Sequence, residues 1–416
     1  MKEQTIAGLD IGSSNIRMVV GQEYLDGNEH KLQILGAAEM PAEGIHRGSI
    51  TSADTAVQAI TACIEKLERM SGVPIESATV GITGTHIVPQ TSRGVVAVGK
   101  VNGEILKADL ERAIEAARAI ATPANYEILH VIPRHSIIDG QISIKDPLGM
   151  TGTRLEVDTL IIQGFSSEIR NFTKCIYRTG LEIDDLVFSL LATAEGVLTH
   201  KQRELGCALL NIGASTTSII VYEEGEVIHA VVLPYGSDHI TNDIAIGLRI
   251  PLEVAEKIKC DYGKLIGKEV NKKLDIDLAE IDEHEQGMVS MKMISQIVDA
   301  RVEEIFDKIE LEFKKIGRSG MLPAGVILTG GGSRLHGIIE SAKKFLKLPT
   351  SFAQQKTVLN PIEALFDQGY TTATSLALWG LSAHAKSAQH NAFFFGLENS
   401  IDVPGRVKKW FKALLP

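Results

Sequence analysis

No apolar run in the chain reaches the roughly 18 residues that a bilayer-crossing helix needs, so no membrane span is expected. Met1-Lys-Glu-Gln leads straight into the run from Thr5, without the apolar stretch of a signal segment. Cysteine is scarce. Cys63, Cys175, Cys207 and Cys260 are scattered and lack the paired spacing of a metal site. Each sits in an apolar context, which predicts four buried free thiols in a reducing cytosol. Aromatic residues make up 5% of the chain, too few for a surface that stacks single-stranded nucleic acid. The net charge of −10 also disfavours nucleic acid as a partner. What is present is ordinary for a soluble globular chain. Hydrophobic residues at 44% suffice for real cores, and 416 residues suffice for two domains or more.

The most informative stretch is residues 5–22. Ile6 to Ile11 form one apolar run and Ile16 to Val20 a second. Gly12, Ser13, Ser14 and Asn15 lie between them, small residues suited to a hairpin turn. Backbone amides and hydroxyls in such a turn converge on an anion such as phosphate. Asp10 stands just before it, where a carboxylate holds Mg²⁺ through water. Residues 208–222 repeat the pattern. Asn211 takes the place of Asp10, and Gly213, Ala214, Ser215, Thr216 and Thr217 form the second turn. A third element spans 325–337: a buried strand, then Gly330, Gly331, Gly332 and Ser333, then a helix start. Glycines admit a ligand close to the backbone, and a helix N-terminus favours anions. One such element is a structural turn in most proteins. Three in this order predict two similar halves around a shared phosphate-binding cleft.

That order resembles the actin, hexokinase and sugar-kinase superfamily: first phosphate loop, second phosphate loop, adenosine loop. Glu127-Ile-Leu-His-Val-Ile-Pro133, Asp139-Gly-Gln and Ile144-Lys-Asp-Pro-Leu-Gly-Met150 narrow the resemblance to the bacterial cell-division FtsA family. So do Gly236-Ser-Asp-His-Ile-Thr-Asn-Asp243 and Ala255-Glu-Lys-Ile-Lys259. The resemblance covers nearly the whole chain. It implies an actin-like α/β fold of two ribonuclease-H-like domains around a nucleotide cleft, with an inserted subdomain and a C-terminal amphipathic helix. The first domain is placed at 1–84, continued by 166–193 and 361–388, and the insert at 85–165. The second domain is placed at 194–250, continued by 317–360, with a capping and partner-binding subdomain at 251–316. A linker at 389–404 and a membrane helix at 405–416 follow.

Along the chain, helical spacing predicts helices over 51–71, 107–121, 166–179, 190–199, 251–262 and 290–316. Another helix begins near Gly236, with Asp238 as its N-cap. The helix over 190–199 reads as a crossing between the halves. The insert carries strands but no catalytic pattern, and His130 and His135 read as structural. Glu256 and Lys259 are three apart on one helix and share a face. The resemblance places such a pair against ribose and adenine; an ordinary surface ion pair is the alternative. The polar face of the helix over 290–316 includes Arg301 and Glu304. The resemblance implies that this subdomain receives the C-terminal tail of FtsZ.

The tail reads Gly405-Arg-Val-Lys-Lys-Trp-Phe-Lys-Ala-Leu-Leu-Pro416. Val407, Trp410, Phe411, Leu414 and Leu415 share one face of a helix. Arg406, Lys408, Lys409 and Lys412 add +4, so the rest of the chain carries −14 (−10 minus 4). A Trp-Phe pair beside basic residues describes an interfacial helix on an anionic membrane surface. Each basic residue there contributes about 1 kcal/mol.

The chemistry expected is binding of ATP with Mg²⁺ and little hydrolysis. The superfamily's second loop normally carries an Asp where Asn211 stands, two glycines where Ala214 and Ser215 stand, and another Asp where Ser218 stands. Asn211 keeps hydrogen bonding but loses the charge that helps to fix Mg²⁺. The expected product is a filament-forming protein at the cytoplasmic face of the septal membrane that tethers FtsZ and recruits later divisome proteins. Two readings stand against it. A small-molecule kinase needs an acceptor pocket with a catalytic Asp, which the sequence does not display. A type IV pilus scaffold of similar plan would lack the tail helix and the His-Val-Ile-Pro segment.

Overall fold

The structure is a computed structural model that describes residues 5–26, 29–100, 102–121, 123–265, 275–355, 358–359 and 362–388. The expected linker and tail helix therefore lie outside the described residues.

β-branched runs separated by small polar residues fold into hairpins twice, and each hairpin seeds a sheet. Thr5–Ile11 pairs antiparallel with Asn15–Asp26 and parallel with Ser77–Ile82. The full order is Glu182–Phe188, Ser77–Ile82, Thr5–Ile11, Asn15–Asp26, Glu29–Pro41 and Val358–Leu359. Cys207–Ile212 repeats the arrangement. It pairs antiparallel with Thr217–Glu223 and parallel with Val326–Thr329, and Glu226–Leu233 and Thr350–Phe352 complete that sheet. Equivalent neighbours on equivalent sides make the two halves structural duplicates.

Helices cover both sheets. Ala53–Ser71 buries Ala56, Ile60, Cys63, Ile64 and Leu67 on one face. Met291–Lys315 turns Val298, Val302, Phe306, Ile309 and Phe313 into the core of the second half. Each large side chain so buried contributes roughly 1.5–3 kcal/mol. Two further helices, Ser189–Val197 and Thr371–Ala388, cross against each other between the halves. The second lies so close to the first sheet that any side chain at Gly8 would collide with the Ala373 carbonyl. No helix of the described residues is long and apolar enough to cross a membrane.

The insert is a separate four-stranded sheet: Ile87–Ala97, Arg154–Phe165, Tyr126–Ile138 and Ile142–Ile144, covered by Lys107–Ala121. The strand Tyr126–Ile138 runs unbroken through Pro133. Pro133 pairs with Thr159 beside a register irregularity between Val157 and Thr159, where a missing N–H is tolerated. The insert leans on the second half. Arg134 donates to the carbonyls of Val227 (2.7 Å) and Ile228 at the sheet's edge strand. His135 lies 2.9 Å from Asp158 and 3.7 Å from Glu226, and His130 accepts the Phe188 amide at 2.9 Å. Both histidines thus have structural partners.

Other expectations change in detail. Asp238 is the first helical residue of Asp238–Leu248, not its cap; Ser237 occupies that place. Cys63, Cys175 and Cys207 are buried free thiols, but Cys260 is exposed, because it lies on the outer face of Leu252–Tyr262.

Candidate nucleotide site

The two hairpin turns close in the same way. The Gly12 amide donates to the Asn15 carbonyl at 3.1 Å, and the Gly213 amide to the Thr216 carbonyl at 2.9 Å. Neither turn uses positive φ. Glycine is required instead by close approach: a Cβ would lie 2.8 Å from the Asn15 oxygen in one and 3.0 Å from the Thr216 oxygen in the other. Among the described residues, the amides of Ser13, Ser14, Ala214, Ser215 and Thr216 carry no backbone hydrogen bond. They are the free donors that an anion needs.

Surroundings separate the two turns. Ser14 is exposed, and Gly12, Ser13 and Asn15 are half-buried. In the second turn Ser215, Thr216 and Thr217 are buried. The segment 235–238 pins it: Ser237 and Asp238 donate amides to the carbonyls of Gly213 and Ala214 at 2.9 and 2.8 Å. The Ser215 hydroxyl donates to Asp238 and that of Thr217 to the Tyr235 carbonyl, both at 2.8 Å. The hydroxyls of Ser215 and Thr217 are thus already taken, and the loop offers its backbone amides.

The acids differ as well. Asp10 sits opposite Arg17 across the first hairpin. Burial pushes its carboxyl up to about 6, against the pull of the Arg17 guanidinium. Arg17 is itself tied to Glu39 at 2.7 Å. Asn211 sits opposite Ser218 and parallel to Thr329. Its amide donates to the Thr372 hydroxyl at 3.2 Å, while the Ser218 hydroxyl lies 3.3 Å from that of Thr83.

The third loop follows Val326–Thr329. Gly330 has φ +89°, and the chain turns into the short 3₁₀ helix Gly331–Arg334; the α-helix starts only at Ile338. The anticipated α-helical N-terminus is therefore a 3₁₀ turn. Gly332 packs on Ile212, where a side chain would meet the Ile212 methyl at 2.6 Å. At Gly331 a side chain would meet nothing within 4 Å. Ser333 is buried, its hydroxyl donating to the Gly330 carbonyl at 2.7 Å. Beyond this loop, Lys259 and Glu256 pair at 2.6 Å, and Lys259 also reaches the Thr241 hydroxyl at 2.9 Å. Lys259 is buried while the Glu256 side chain is 47% exposed, so the pair is buried at one end only. Burial alone would push the Glu256 carboxyl up; the Lys259 charge and the Thr241 hydroxyl hold it below the usual carboxylate range.

The donor set suits a cation carried by phosphates. Mg²⁺ keeps several waters and takes one or two carboxylates with the phosphate oxygens. Asp10 supplies one carboxylate. Among the described residues no cluster of three or more His, Cys, Asp or Glu forms a cage. Away from the cleft, Arg301 makes a bidentate pair with Asp243 (2.5 and 2.8 Å) and reaches Glu304 at 2.6 Å. Sequence reading missed Thr83, Thr372 and Gly236. The run Thr371-Thr-Ala-Thr-Ser375, five small residues with four hydroxyls at a helix start, was the one signal for Thr372.

Comparison with known proteins places these features. The family model described as "Cell division protein FtsA" matches residues 208–375, and "SHS2 domain inserted in FTSA" matches 84–163. The cell division protein FtsA of Pseudomonas aeruginosa is 33% identical over 98% of this chain and 97% of its own length. That of Bacillus subtilis is 36% identical over 82% of this chain and 76% of its own. Among solved structures, a PilM-PilN type IV pilus biogenesis complex has a TM-score of 0.63 at 18% identity, covering 90% of this chain and 98% of that one. MreB 5 of Spiroplasma citri bound to AMPPNP has a TM-score of 0.55 at 12% identity, covering 94% and 100%. At these identities the structures show the actin-like fold alone.

Proposed function

The chain belongs to the FtsA family of cell-division proteins, and from that premise we propose that it binds ATP between its halves, polymerises on the cytoplasmic face of the septal membrane, tethers FtsZ filaments there and recruits later divisome proteins. The observation that carries this reading is the pair of equivalent turns with free amides, backed by the open space at Gly331. The amides of 13–14 and 214–216 hold the phosphates. Gly330, Gly331, Gly332 and Ser333 bed the adenosine, and Lys259 with Glu256 meets its ribose and base. Asp10 holds Mg²⁺ through water, and the cation, when bound, neutralises phosphate charge. With Asn211 in place of a second acid, hydrolysis is slow, and Asn211→Asp raises it.

The division into two domains, an insert, a capping subdomain, a linker and a tail belongs to the same proposal. Arg301 and Glu304 present a charged face to the FtsZ C-terminal tail. The tail helix binds anionic membrane through Trp410 and Phe411 among Lys408, Lys409 and Lys412. One tail binds reversibly, and many on one filament hold through avidity.

Vesicle flotation tests this with ATP and Mg²⁺ present. The wild type should float with anionic vesicles. Trp410→Glu should stay in the soluble fraction yet keep its affinity in a fluorescent-nucleotide titration. Gly331→Val should lose nucleotide binding while remaining folded, since its side chain meets only open space. Normal flotation of Trp410→Glu would remove the tail as anchor, and unchanged affinity of Gly331→Val would remove the cleft as nucleotide site.

A further inference from the structure

Asn211 and Ser218 are cross-strand neighbours at the base of the second turn, and both reach threonines of the first half. The Asn211 amide donates to Thr372 Oγ1 at 3.2 Å. The Ser218 and Thr83 hydroxyls are 3.3 Å apart. Thr372 stands in the first turn of Thr371–Ala388, the helix packed on the first sheet at Gly8. Thr83 directly follows Ser77–Ile82 in that same sheet. The contact extends one step further. The Thr193 hydroxyl donates to the Ser189 carbonyl at 2.8 Å and lies 3.4 Å from the Thr372 hydroxyl, bringing in the second crossing helix. Thr193 and Thr372 are buried. On its other side Asn211 Oδ1 lies against Gly330, where any side chain would collide with it. The amide thus sits between two elements, its nitrogen hydrogen-bonded to the crossing helix and its oxygen packed against Gly330.

We infer that Thr372 and Thr83 are positioning residues: they join the halves through the floor of the cleft and hold Asn211 and Ser218 in the orientation that presents the second loop to nucleotide. The chemistry explains why neutral residues stand at both positions. Side chains directly opposite across an antiparallel pair have Cβ atoms about 4.5–5.5 Å apart, and like charges there destabilise. Acids at 211 and 218 would need a cation between them before the halves could approach. An amide and a hydroxyl take threonine partners at once. The inference rests on the cleft being a nucleotide site.

Two double-mutant cycles test it, read by fluorescent-nucleotide titration: Thr372→Val with Asn211→Ala, and Thr83→Val with Ser218→Ala. Valine keeps the shape of threonine and removes only the hydroxyl. Thr372→Val should weaken nucleotide binding about five- to tenfold, and Thr372→Ser should restore it to within about twofold. The double variant should bind no more weakly than Asn211→Ala alone, because partners in one contact are not additive. Wild-type affinity in Thr372→Val, or additive losses in the cycle, would overturn the inference. Should Thr372→Val not fold, the half-buried Thr83 cycle decides by the same criterion. Hydrogen exchange of Cys207–Ile212 in the nucleotide-free protein separates the two readings. Faster exchange in Thr372→Val supports the tie, and unchanged exchange sinks it. A wild type that binds no nucleotide sinks the cleft assignment instead.

Discussion

The two phosphate hairpins share one turn and live in opposite surroundings. Each closes with a glycine amide donating to a carbonyl three residues on. Yet the first is open, with Ser14 exposed, while the second is buried under 235–238 and fastened by four hydrogen bonds from that segment or to it. The first carries a half-buried acid opposite an arginine, the second an amide opposite a serine. Local sequence thus makes the turn, and the surrounding chain decides whether it is held by the single Ala42 amide on the Ser14 carbonyl (2.9 Å) or walled in by four hydrogen bonds. Under the nucleotide binding proposed above, the second loop would set the position of the phosphates and the first, with Asp10, would meet them and their cation.

Breaking the wall gives the largest effect. At Gly236 any side chain would collide with the Ala214 carbonyl, a backbone atom held from both sides. Gly236→Val should cost at least about 3 kcal/mol in urea unfolding. Ser14→Ala on the exposed turn should stay within about 0.5 kcal/mol. Comparable losses at the two positions would abolish the contrast.

Exchanging the acids gives the next effect, measured without nucleotide or Mg²⁺. The Asp10 carboxyl rises from 3.8 to about 6 through burial. Between those values the folded state holds a proton that the unfolded state has lost, so stability falls as pH rises through this window. At roughly 1.4 kcal/mol per unit the loss is about 2–3 kcal/mol. Asp10→Asn should flatten this stretch of the stability–pH curve and be the more stable form above pH 6. Asn211→Asp should add a second fall of the same sign. A wild-type curve level from pH 4 to 7 would refute the raised Asp10 carboxyl.

The matched pair Gly12→Ala and Gly213→Ala sharpens the comparison at the smallest scale. The new Cβ is closer to its carbonyl at Gly12, 2.8 Å against 3.0 Å. Gly213→Ala should nonetheless cost more, by about 0.5–1 kcal/mol, because its turn cannot move away while the open one gives. If denaturation ranks them the other way, distance within the turn governs rather than its surroundings.

Much of this was legible in the residues. The paired apolar runs in 5–22 and 208–222 give both hairpins, and the stripe Val298, Val302, Phe306, Ile309, Phe313 gives the long helix. The anticipated helix start after the glycines failed because Gly330 to Arg334 form a 3₁₀ turn, whose spacing leaves no mark in so short a run. Cys260 was misplaced because an apolar neighbourhood in sequence does not say which way a helix residue points. That one strand continues through Pro133 was not legible, because a bulge that tolerates proline is set by the partner strand.

By itself, then, the sequence determined the turns, the periodic elements, the duplication of the halves and the family. The turns, the periodic elements and the duplication follow from sterics and hydrophobic spacing within a few residues, and the family from the resemblance of longer motifs. Tertiary structure alone decided which turn is exposed, which hydroxyls are already taken, and that Asn211 meets Thr372 across 161 positions and Ser218 meets Thr83 across 135. A hydrogen bond has a reach of about 3 Å, so its partner is fixed only once the sheets and crossing helices have brought distant chain together.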